Sequence, residues 1–135
     1  MGSIQSGMFL RRVLLIDAAS SGALGLLLLT CASLLGGMLD LPAAMLEEAG
    51  FVLLPFALML AFLGSRTRLP KALVWTVIAV NVIWAFDSCV LLLSGWVQPN
   101  LRGHAFIAGQ AAFVAVIAQL EFVGLRKSTQ LSAAG

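Results

Sequence analysis

Four long apolar runs, separated by short polar joints, take up nearly the whole chain and constrain its fold more than any other feature. Residues 13–39 carry one charge, Asp17; residues 72–96 carry one, Asp87; residues 105–125 carry one, Glu121. In the remaining run, 42–64, Glu47 and Glu48 stand near the start and no charge follows them. A helix needs ~20 apolar residues to cross a hydrocarbon layer of about 30 Å. Each run is of that order. Of the 135 residues, 61% are hydrophobic and 10% charged, against roughly 45–50% and about 25% in soluble domains. At this size such a chain leaves too much apolar surface for water to tolerate. The runs therefore predict an all-α membrane protein of four transmembrane helices, forming one integral membrane domain over residues 1–135.

The charged flanks orient it. Arg11 and Arg12 precede the first run, Arg66, Arg68 and Lys71 lie between the second and third, and Arg126 and Lys127 follow the last. Asp40, Glu47, Glu48, Arg102 and His104 fall at the other ends of the runs. Seven of the eight Lys/Arg share one side, which the positive-inside rule makes the cytoplasm. The expected topology is an up-down-up-down bundle with both termini cytoplasmic, multi-pass in a bacterial inner membrane. Trp75 and Trp96 stand at opposite ends of the third run, where interfacial anchors belong. Residues 1–30 read as a retained anchor, since the apolar run outlasts the ~7–15 residues of a signal peptide's core. Asp40, before Leu41 and Pro42, is expected to cap the second helix, with Pro in its first turn. That helix should continue through Pro55, a break that neighbouring helices can tolerate.

Ala18 and Gly22, like Ser21 and Gly25, are small residues four apart on the first run, spacing that lets two helices approach closely. They predict packing inside the bundle or against a second membrane protein. Ionisable groups within membrane spans are costly and are functional hypotheses by default. Asp17 and Glu121, each about one turn inside the cytoplasmic ends, are expected to anchor there by reaching Arg11, Arg12, Arg126 and Lys127. Asn81 falls near the midplane, with Asp87 nearer the outer side. Asn81, Trp84 and Ser88 form a helical stripe that Asp87 borders. Gln110 heads a stripe of Val114, Ile117 and Glu121 on the last run. A polar seam pairing Asp87 with Gln110 is therefore expected, and Asn81, Asp87, Ser88 and Gln110 form the candidate intramembrane site.

Catalytic and metal chemistry find no motif. One His, no C-x-x-C, and no nucleotide-binding or nucleophile-elbow pattern occur, so no cofactor, metal or enzymatic activity is expected. Cys31 and Cys89, without basic neighbours, read as inert thiols. The few charges give no nucleic-acid surface. The segments LIDAASSGALGLLLL, LPAAMLEEAGFVLLPFALMLAF and ALVWTVIAVNVIWAFDSCVLLLSGW resemble small uncharacterised four-helix integral membrane proteins of bacteria. The resemblance implies the four-helix fold and carries no activity. The leading functional expectation is a non-catalytic accessory or scaffold protein, acting through helix contacts with itself or another membrane protein in the lipid bilayer. The alternative is a small oligomeric transporter or channel with a membrane-embedded Asp87/Asn81 site.

Overall fold

The computed structural model describes the backbone of residues 3–134 and the side chains of residues 4–130. It is helical apart from one small ribbon. A short strand β1 (Ser3–Gln5) leads into α1 (Met8–Thr30), then α2 (Ala32–Leu39) and α3 (Ala43–Gly64); β2 (Arg68–Pro70) precedes α4 (Lys71–Ser94) and α5 (Leu101–Ala134). Four of these five helices, α1, α3, α4 and α5, are long and apolar enough to cross a membrane. Their outward faces are apolar too, with Leu58, Phe86, Leu93 and Leu101 among the exposed residues.

Close helix packing joins α1 to α3, α4 to α5 and α1 to α5. No comparably close approach joins α3 to α4, and a side-chain-lined cleft separates them. The α1–α3 contact rests on glycine. A Cβ added to Gly50 would stand 2.9 Å from the Gly25 carbonyl oxygen and 2.8 Å from Leu29 Cγ. Gly22 and Gly25 likewise face Ala57 and Leu53. The small-residue face of α1 is thus spent on α3 within the chain.

Both ends of the bundle are clasped. At the terminal face β1 pairs antiparallel with β2, Ile4 opposite Leu69. The Gly7 amide donates to Ser128 Oγ at 3.0 Å, and Arg11 Nε donates to the Gly64 carbonyl at 3.2 Å. This gathers the first strand, the α3–α4 connection and the end of α5, with their basic residues, at one face. At the opposite face Asn100 is the tie. Its side chain accepts from the Gly103 amide at 2.9 Å, capping α5, and donates to the Met38 carbonyl at 2.8 Å.

Four local expectations change. Run 13–39 divides at Cys31 into α1 and α2. Thr30 Oγ1 donates to the Leu26 carbonyl at 2.7 Å, a back-bond that loosens helices. Asp40 adopts the left-handed conformation (φ 56°) and closes α2, so Pro42 rather than Asp40 precedes α3, which runs through Pro55. The run expected at 72–96 ends at Ser94, where Gly95 takes φ 78°. The last helix extends past 105–125 at both ends, to Leu101 and Ala134.

Two apolar clusters fill the interior. Leu10, Leu14, Leu60, Leu63, Val77 and Leu125 lie towards the terminal face. Leu28, Leu39, Leu41, Leu46 and Ile107 lie towards the other. A polar layer sits between them.

Candidate functional site

Asp17, Asn81 and Glu121 meet in that layer, from α1, α4 and α5. Each occupies the inward stripe of its helix: Asp17 follows Leu10 and Leu14, Asn81 follows Val74 and Val77, and Glu121 lies between Ile117 and Leu125, all of them buried. The three polar residues are 2%, 3% and 0% exposed. Asn81 Nδ2 donates to Asp17 Oδ2 at 2.8 Å and to Glu121 Oε1 at 2.7 Å. Two acceptors around one nitrogen settle the amide's orientation, because the flipped form would set oxygen against both carboxyls. Ser21 Oγ donates to Asp17 Oδ1 at 3.2 Å. Glu121 Oε2 is buried without a hydrogen-bond partner among the described residues.

The carboxyls are immediate neighbours, since both accept from the same nitrogen. Cations that might balance them are committed elsewhere. Arg11 Nε donates to the Gly64 carbonyl, Arg126 lies 5.8 Å from the centre of the Phe122 ring, and Lys127 lies 4.5 Å from that of Phe9. The expected anchoring of Asp17 and Glu121 on Arg11, Arg12, Arg126 and Lys127 is therefore not the arrangement found. Asp17 lies in the third turn of α1, and its carboxyl points along the inward stripe, whereas Arg12, Arg126 and Lys127 are exposed. Helix rotation, rather than depth, decides the partner. From α3 the cluster receives no titratable group among the described residues; Val52, Leu53 and Phe56 are what α3 presents beside it.

A second polar group lies nearer the opposite face. Trp84 Nε1 donates to Gln110 Oε1 at 2.8 Å, Gln110 Nε2 donates to Ser88 Oγ at 2.9 Å, and Ser88 Oγ donates to the Trp84 carbonyl at 2.8 Å. The α4–α5 seam is real, but Trp84 and Ser88 fill the place expected for Asp87. Gln110 therefore does not pair with Asp87. Asp87 is one residue, about 100° of helix, away from Ser88, and its side chain is on the exposed side of α4. Sequence reasoning missed that Trp84 contributes its indole N–H as well as its ring. Removing that donor by Trp84→Phe strands Gln110 Oε1 and should cost about 0.5–2 kcal/mol, the scale of interhelical bonds in membranes. Chemical unfolding in mixed micelles measures it.

Two cavities connect these groups along the cleft. One of about 60 Å³ is lined by Asp17, Ser21, Asn81 and Phe56, among others. The other, about 220 Å³, is lined by Asp87, Ser88, Met45 and Phe106, among others. Trp84 and Gln110 border both, so their hydrogen bond crosses the partition. A water occupies roughly 30 Å³ in liquid, so even the smaller cavity has room for water beside the Asp17 carboxyl. Towards the terminal face the cluster meets Leu14, Val77 and Leu125 instead, buried and apolar. The site is open along the cleft and sealed behind.

In comparisons with protein-family models, curated proteins and solved structures, nothing matches this chain. It stands as a small protein with four long apolar helices and no family assignment.

Proposed function

We propose that this is a small multi-pass protein of a bacterial inner membrane, with its terminal face in the cytoplasm, that binds and passes protons as a proton-linked transporter. The observation that carries the reading is the Asn81 amide bridging two carboxyl groups from different helices, with no cation in contact among the described residues. Two unit negative charges ~5 Å apart repel by about 3 kcal/mol at an effective dielectric of 20. One added proton removes that repulsion and converts a carboxyl oxygen into the donor that Glu121 Oε2 lacks. The cluster is thus built to gain and lose one proton. Its open side, facing Asp87, supplies water, and its sealed side has to part for the proton to leave towards the cytoplasm.

The accessory or scaffold role drew on the small residues of α1. Those residues pack against α3 within the chain, and the support shifts to the polar cluster. The basic terminal face supports the orientation.

Liposomes loaded with a pH-sensitive dye test the proposal. Vesicles holding the protein should dissipate an imposed pH gradient faster than empty ones. Glu121→Gln and Asp17→Asn should each reduce the protein-dependent rate at least tenfold. Equal rates in wild-type and empty vesicles, or unchanged rates in both variants, would overturn the reading.

A further inference from the structure

The cleft between α3 and α4 differs from an ordinary apolar groove in one chemical respect: its side-chain hydrogen-bond donors are already taken. Ser20 and Ser21 Oγ donate to main-chain and Asp17 oxygens. Asn81 Nδ2 spends both hydrogens on Asp17 and Glu121, and Gln110 Nε2 spends both on Ser88 and the Ile107 carbonyl. Trp84 Nε1 and Ser88 Oγ are likewise committed. Among the described residues no Lys, Arg or His lines either cavity. A ligand that needs donors, such as a quinone carbonyl, a phosphate headgroup or an organic anion, finds none unspent.

The opposite chemistry is supplied. Asp87 lines the larger cavity with no hydrogen bond of its own among the described residues, and Asp17 lines the smaller. Aromatic faces accompany both: Trp84 and Phe106 around the larger, Phe56 and Phe113 around the smaller. Carboxylates and π-faces together attract organic cations, and the aromatic contribution grows as water is excluded. The gap between α3 and α4 gives such a molecule a sideways route from the lipid.

We propose that this cleft binds a lipophilic organic monocation, its charge beside Asp87 and its apolar body against Trp84 and Phe106. This names the substrate class of the proton-linked transporter above, and rests on that reading for its link to transport. Lipid tails, neutral aromatics and anions lack the charge that the lining selects.

Equilibrium dialysis of the protein in nanodiscs, corrected for empty nanodiscs, provides the test. The probes are benzyltrimethylammonium and its neutral carbon isostere, neopentylbenzene. The cation should bind saturably and at least tenfold more tightly than the isostere. Asp87→Asn should weaken the cation at least fivefold and leave the isostere unchanged. Equal affinity for the two probes, no saturable binding, or indifference of the cation to Asp87→Asn overturns the proposal. The assay contains no proton gradient, so the two ideas fail separately. Carboxyl-dependent proton flux without cation selectivity removes the substrate and keeps the transporter. Cation selectivity without flux keeps the binding site and removes the transporter.

Discussion

Replacing Asn81 by leucine should destabilise the protein more than the loss of a single polar contact would suggest, and deleting the whole polar cluster should restore what was lost. Asn81→Leu strips the shared donor from Asp17 and Glu121 and leaves both carboxyls buried at 2% and 0% exposure. Removing one partner from a buried charged group costs about 2–4 kcal/mol, because the remaining group keeps its desolvation penalty. The triple substitution Asp17→Leu, Asn81→Leu, Glu121→Leu removes donor and acceptors together. Apolar replacement of a buried polar set is often neutral or stabilising by ~1–4 kcal/mol. The triple variant should therefore unfold at or above the wild-type denaturant concentration in mixed micelles, while its proton flux disappears. That combination separates function from stability: a cluster whose hydrogen bonds outweigh its desolvation cost would instead lower stability in both variants. Wild-type behaviour of Asn81→Leu would mean that the bridge is not formed.

The second large effect is steric. Gly50→Leu should wedge α1 from α3, since even a Cβ at Gly50 falls 2.9 Å from the Gly25 carbonyl oxygen. That atom is main chain in a helix and cannot rotate aside. Gly50→Ala should cost about 1–3 kcal/mol, partly offset by ~1 kcal/mol of improved helix propensity. Leucine should exceed that range and lower recovery of folded protein in detergent. Gly109→Ala is the internal control, because nothing lies within 4 Å of the added carbon. It should leave thermal stability unchanged or slightly raised. A Gly50→Leu variant as stable as Gly109→Ala would contradict the close α1–α3 contact.

The polar residues show where reading the chain succeeded and where it stopped. Asn81, Ser88 and Gln110 were legible as interior groups because lipid penalises unpaired polar atoms at depth. Asp17 and Glu121 were legible as unusual, and Glu121 was visible on a stripe with Ile117. Which groups they meet was not. Their depth suggested Arg11 and Arg126 as partners, and the rotation of each helix selected Asn81. Asp87 shows the reverse: its sequence neighbourhood matched the polar stripe, yet one residue of helical phase placed it on the cavity side of α4 instead of the α4–α5 seam. The break at Cys31 was hidden because the apolar run continues across it unchanged.

By itself the sequence determined how many helices are long and apolar enough to cross a membrane and which of their ends carry the basic residues. Apolar length sets how many helices can cross a hydrocarbon layer, and the unequal distribution of arginine and lysine sets which ends share a face. Both are one-dimensional quantities. Tertiary structure alone decided that two carboxyls from opposite ends of the chain share one amide, and that a cleft poor in free donors lies beside them. Such contacts depend on how each helix is rotated and on which pairs pack closely, and close packing follows side-chain shape across three dimensions, with Gly50 against Gly25 as its tightest point.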